Sequence, residues 1–184
     1  MSASDAIGML ELTSVAAGYR ATDAMMKAAP VDLLMARSIC SGKYLVVVGG
    51  SVASVNASVG AGAGSAEGYL IEQEVISRIH PDVFPAVGMA VQLAESDLRA
   101  LGVIETFSAS SIVRAADAAV KTAEVKLFRV HLAMALGGKG FALVTGDTGS
   151  VAAAVKAGAA AADGMLAGIS VIPAPDRALF REYI

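Results

Sequence analysis

The sequence predicts an α+β protein made of two tandem ferredoxin-like (βαββαβ) domains, each an antiparallel sheet with helices on one face. Three observations lead there. The chain repeats itself at a shift of roughly ninety residues, each copy alternates between strand and helix periodicity in the same order, and turn residues punctuate both copies at the same joints. Ala6-Ile7-Gly8-Met9-Leu10-Glu11 faces Ala100-Leu101-Gly102-Val103-Ile104-Glu105, and Arg20, Asp23, Ala24 and Lys27 face Arg114, Asp117, Ala118 and Lys121. Gly42-Lys43 then faces Gly138-Lys139, but only when the second copy gains two residues in the loop before them. Beyond that point Ser54-Val55 matches Ser150-Val151, and Gly68 with Leu70 matches Gly164 with Leu166.

In the first copy a strand is expected over residues 6–12. A helix follows over 14–29, with Thr13 or Ser14 placed to cap its free amides. Strands over 31–40 and 43–48 flank Ser41-Gly42, a two-residue connection of the kind that closes a tight hairpin. A second helix begins at Ser51, because Val52, Val55, Val59, Ala63 and Ala66 recur on one helical face, and Gly68 is placed to end it. A strand over 69–79 completes the unit. The expected boundaries are residues 5–87 for the first domain, 88–98 for a connector and 99–184 for the second. Pro81 and Pro85 fall where the chain leaves the first copy, with a helical turn expected near them.

Composition narrows the function. A net charge of −3 and a pI near 5.3 supply no basic field for phosphate backbones, which argues against nucleic acid as a partner. The uncharged run 44–66 is long enough to span a bilayer. Gly49-Gly50-Ser51 breaks it and Ser54, Asn56 and Ser58 would carry polar groups into lipid, so it reads as strand, turn and helix, and no membrane role is expected. Met-Ser-Ala-Ser-Asp at the start shows no secretory pattern. A single cysteine excludes an intrachain disulfide and fits a reducing, cytosolic setting. With 55% hydrophobic residues and a mean hydropathy of +0.63, the surplus apolar surface points to an oligomer.

Enzyme motifs do not survive inspection. Gly60-Ala61-Gly62-Ala63-Gly64 lies inside a helical pattern rather than between a strand and a helix start, and Gly138-Lys139-Gly140 lacks the hydroxyl residue of a phosphate-binding loop. Cys40 with His80 or His131 has no local nucleophile signature, and His131 reads as a strand-face histidine satisfied by backbone or water. Glu11 and Glu105 occupy one repeat position in separate domains and so form no acid–base pair. No catalytic residue is assigned.

Several strings together resemble the bacterial microcompartment (BMC) shell-protein domain: Ala-Ile-Gly-Met-Leu-Glu at 6–11, Ala-Thr-Asp-Ala-Met-Met-Lys-Ala-Ala at 21–29, Gly42-Lys43 before a valine-rich strand, and Ser-Val-Ile-Pro-Ala-Pro-Asp at 170–176. The resemblance covers nearly the whole chain. It implies a homotrimer whose six domains mimic a hexagonal tile, with tiles joining other shell proteins into a cytoplasmic microcompartment shell around enzymes. Lys27 and Lys121 correspond to the edge lysine of that family, which packs across the tile boundary. Where the family carries Ile-Pro-Arg-Pro-His, this chain has Ile172-Pro173-Ala174-Pro175-Asp176, so an edge arginine is missing, and the first copy instead has Arg78-Ile79-His80-Pro81.

The family's loop between its second and third strands faces the tile axis. Here that loop holds Cys40, Ser41 and Gly42 in the first copy and the longer, thiol-free run 132–138 in the second. Ile39-Cys40-x-Gly42-Lys43 resembles the cluster-bearing loop of the tandem-domain shell proteins of propanediol-utilising microcompartments, with Ser41 where that loop has proline. The resemblance implies that Cys40 from three subunits ligates one [4Fe-4S] cluster per trimer, passing electrons or a cluster across the shell to encapsulated redox enzymes. Lys43 and neighbouring amides are expected to favour the thiolate. Two other readings stay open: a tile with a metabolite pore and no cluster, and a ferredoxin-like module that binds a small regulatory ligand.

Overall fold

The computed structural model describes residues 4–184, which divide into two compact units, the first ending at Pro81 and the second running from Asp82 to Ile184. In the first unit the order is β1 (Ala6–Leu12), α1 (Val15–Ala28), β2 (Asp32–Ser38), β3 (Tyr44–Gly50), α2 (Val52–Ser65) and β4 (Leu70–Ser77). The strands form one antiparallel sheet in the order β2-β3-β1-β4. The second unit begins with a short helix α3 (Val83–Val87) and repeats the pattern as β5 (Ala100–Thr106), α4 (Ala109–Thr122), β6 (Lys126–Leu132), β7 (Gly140–Gly146), α5 (Thr148–Ala161) and β8 (Leu166–Ile172). Its sheet order, β6-β7-β5-β8, is the same.

Helix starts follow the capping residues. The Ser14 hydroxyl accepts from the Ala17 amide and Ser51 from Ser54, satisfying donors that the first helical turn leaves free. Ser108 does the same for α4, and Asp147 takes the place of Ser51 for α5. The run that suggested a bilayer span is β3, a turn and α2. Among the described residues no helix is long and apolar enough to cross a membrane.

In the first unit Ala17, Ala21 and Met25 of α1 and Val55 and Val59 of α2 pack on Leu10, Leu12, Val46 and Val48 of the sheet. Gly8 lets α2 approach: a Cβ there would lie 2.5 Å from Val59 and 2.7 Å from Val55, and Gly102 meets Val155 and Val151 in the same way. One contact is solved in opposite ways. Gly18 of α1 lies against the ring of buried Tyr44, whereas the matching positions of the second unit hold Ile112 and Gly140 in contact.

The hairpin between β2 and β3 differs from the expected two-residue turn. Cys40 leaves the strand and joins Ser41 and Gly42 in a single 3₁₀ turn, closed by the Ile39 N–H donating to the Lys43 carbonyl at 2.8 Å. Ser41 and Gly42 both take left-handed backbone, φ 62° and 71°, which turns the chain sharply without a proline.

The domain boundary also falls earlier than residue 87. Val83, Ala86 and Val87 are buried, and α3 packs on β6 and α4 of the second unit. The expected connector 88–98 is likewise ordered there. Leu93 donates to the Tyr183 carbonyl at 2.6 Å, and Asp97 meets Lys126 at 2.6 Å. Leu93, Leu101, Phe128 and Phe180 form a small second core, with Tyr183 set edge-on to Phe128 at 4.9 Å.

Candidate functional site

The loop at the β2–β3 hairpin is built from its base upward. β1 carries Glu11 next to the strand end, and β3 begins one residue after Lys43, so the two side chains meet at 2.8 Å. Lys43 also supplies the carbonyl that closes the loop. Above this base, Ser41 and Gly42 are exposed and the Cys40 thiol group is half-buried. Nothing lies within 4 Å of the place a Cβ would occupy at Gly42, so the tip is open.

The second unit has the same base under a different loop. Lys139 pairs with Glu105 at 3.2 Å, and the Ala133 N–H donates to the Lys139 carbonyl at 3.0 Å. Between these closures lie three residues in the first unit, Cys40 to Gly42, and five in the second, Met134 to Gly138. The two-residue insertion therefore sits inside the loop and not in the strands. Ala135, Gly137 and Gly138 all take left-handed backbone to accommodate it. His131 braces this longer loop. Its Nε2 is 2.7 Å from the Met134 carbonyl, which requires the proton on Nε2, and its ring stacks on Phe141 at 4.9 Å.

Lys27 and Lys121 sit in the last turns of α1 and α4, where a cation complements the helix dipole. Each pairs with the aspartate one turn earlier, Lys27 with Asp23 at 2.7 Å and Lys121 with Asp117 at 2.5 Å. The structure does not bring Lys27 and Cys40 together. They lie near opposite ends of β2, a strand about 20 Å long. The loop and the lysine are thus separate features of one unit.

Among the described residues no group of three or more His, Cys, Asp and Glu side chains could hold a metal ion. Cys40 is a single soft ligand at an open loop tip, so the donor set fits an iron–sulfur cluster only if further thiolates come from other copies. The pairing of Glu11 with Lys43 was not foreseen. Its signal was present, since a glutamate ends the repeated string and a lysine follows the repeated glycine in both copies. The Lys43 ammonium group is engaged by this carboxylate.

The model of the BMC domain matches residues 6–79 and again 100–175, one match in each unit. The chain is 41% identical to the bacterial microcompartment shell protein PduT of Citrobacter freundii over 98% of both chains. It is 37% identical to the carboxysome shell protein CsoS1 of Prochlorococcus marinus, where half of this chain covers 92% of that protein. A crystal structure of a microcompartment protein from Desulfitobacterium hafniense superposes with a TM-score of 0.93 at 44% identity, covering 97% of this chain and 99% of that one. Shell proteins such as PduT and CsoS1 are structural components and not enzymes. The chain belongs to the BMC-domain family and is a tandem-domain shell protein of a bacterial microcompartment, inside the cytoplasm.

Proposed function

We propose that three copies close into a pseudohexagonal tile and that Cys40 from each copy ligates one [4Fe-4S] cluster on the three-fold axis. The observation that carries the reading is the Cys40 loop itself. It offers one half-buried thiol at an open tip, on the hairpin that was expected to face the axis from the family resemblance. Three thiolates leave one iron of such a cluster without a cysteine ligand. When bound, the group supplies one-electron chemistry. This chain's own residues hold the ligand loop and present its thiol.

Burial supports the trimer. α4 has ten buried residues where α1 has four. Val15, Tyr19 and Met26 of α1 stay exposed at the positions where α4 has buried Ala109, Val113 and Val120. The second unit in turn exposes Phe107, Met165, Leu166 and Ile169. Two uncovered apolar faces, one on each unit, suit a heterologous contact between copies, and such contacts make rings when the rotation closes.

Lys27 and Lys121 form the lattice edge in this reading, and other shell proteins complete the sheet. Encapsulated redox enzymes are the partners on the enclosed side. Sedimentation at micromolar concentrations is expected to give trimers; monomers or dimers alone would reject the ring. Iron and sulfide analysis with EPR on anaerobically reconstituted protein is expected to find a cluster in the wild type and none in Cys40→Ser. Equal iron in both, or none in either, leaves the tile with an open axial pore.

A further inference from the structure

The two units keep one base and vary what stands on it. Both loops close through a lysine carbonyl, and both lysines reach a glutamate near the end of the first strand of their own unit. Loop length differs and the thiol is present in one loop only. The pair under the thiol is also the better shielded. The Glu11 side chain is 11% exposed and Lys43 36%, against 38% and 40% for Glu105 and Lys139. Partial removal from water strengthens an ion pair beyond what an exposed one contributes.

We propose that the Glu11–Lys43 pair is the positioning element of the Cys40 loop, an inference that rests on the reading of Cys40 as a cluster ligand. Lys43 is fixed twice, by its carbonyl to Ile39 and by its ammonium group to Glu11, so the pair ties the loop to the central strand β1. The two charges of the pair also cancel at the base of the loop. A lone cation there would make a bound cluster easier to reduce, and a lone carboxylate would make it harder, because cluster potential follows local charge.

The test uses the full-length chain, with and without anaerobic reconstitution by iron and sulfide. Glu11→Gln and Lys43→Met are each expected to lower iron affinity by about tenfold, the scale of an outer-sphere change at a metal site. Their residual clusters should shift in midpoint potential in opposite directions, upward for Glu11→Gln and downward for Lys43→Met. In protein without iron, amide exchange at Ile39 should be faster in both. The exchanged pair Glu11→Lys with Lys43→Glu should restore iron and slow exchange again. Glu105→Gln should speed exchange at Ala133 and leave iron unchanged.

Shifts in the same direction, unchanged Ile39 exchange in Glu11→Gln, or equal iron loss in Glu105→Gln would overturn the proposal. If the wild type binds no iron, the cluster reading fails by itself. Ile39 exchange in Glu11→Gln and in the exchanged pair then decides whether Glu11 positions the loop.

Discussion

The first and second units share a backbone plan but fill one contact with reversed volumes. Tyr44 projects from β3 into the space left by Gly18 on α1, while Ile112 projects from α4 into the space left by Gly140 on β7. Neither large residue is exposed, at 2% for Tyr44 and 0% for Ile112. What the fold preserves at this point is the filled space between helix and sheet and not the residue at either position, because interiors are close-packed and both voids and overlaps are costly.

The most severe way to break this comparison is Gly140→Tyr, which gives the second unit two large residues facing each other. A Cβ alone at that position would lie 3.0 Å from the Ile112 Cβ and nearer still to its Cγ2. The variant is expected to lose about 3 kcal/mol or more, read from urea midpoints. Adding Ile112→Gly should return most of it. No recovery in the double variant would mean that the two positions are not coupled.

A gentler test sharpens the same comparison at a polar position. Ser58 is fully buried and donates its hydroxyl to the Met25 carbonyl at 3.1 Å, whereas the second unit holds buried Ala154 there. Ser58→Ala is expected to cost about 1 kcal/mol, the net worth of one internal hydrogen bond. A loss of several kcal/mol would show that the hydroxyl holds more than that contact.

Acid should also separate the units. Hydrogen bonds from the Ser150 amide and hydroxyl hold the Asp147 carboxyl below the usual carboxylate range, while its counterpart Ser51 does not titrate. Asp97 is lowered as well, first by its bond from Lys126 and then by the Ala94 amide. A carboxylate whose folded value is depressed stabilises the fold above its unfolded value, near pH 4, and loses that contribution as pH falls through the folded value. Stability should therefore drop below about pH 4 in the wild type and drop less in Asp147→Ser. Equal acid profiles for the two would remove Asp147 as a contributor.

The smallest expected change in stability is at Lys27, whose side chain is 75% exposed and pairs with Asp23 on the same helix. Lys27→Ala should leave unfolding free energy within about 0.5 kcal/mol. On the tile model it should nevertheless weaken sheet growth while trimers persist. Sheets that grow unchanged when Lys121→Ala is added would end the edge assignment.

Much of the fold was readable because the signals were periodic and doubled. β1 and β5, the capping serines of α1 and α2, and the two-residue insertion all appear where the repeat places them. The hairpin tip was misread because Ile39 and Cys40 are apolar and no turn residue precedes Ser41-Gly42, and only backbone geometry shows that Cys40 has already turned. Residues 83–98 were assigned to the first unit or to a connector because a short helix containing Pro85 gives little period, and its apolar residues do not name the surface they cover. At the site, Cys40, Ser41 and Gly42 were identified from the sequence. Their ion-paired base was not, because Glu11 and Lys43 are 32 positions apart and only pairing of β1 with β3 joins them.

The reversed volumes of Tyr44 and Ile112 bear finally on how such a chain folds. A nascent polypeptide with two copies of one fold can pair elements from the wrong copies, the usual hazard of tandem repeats. Here a helix α4 settling on β3 would set Ile112 against Tyr44 and overfill the contact, while α1 on β7 would set Gly18 against Gly140 and leave a hole. Each mismatch carries its own penalty. The exchange of one large and one small residue therefore acts as a key that admits each helix to its own sheet.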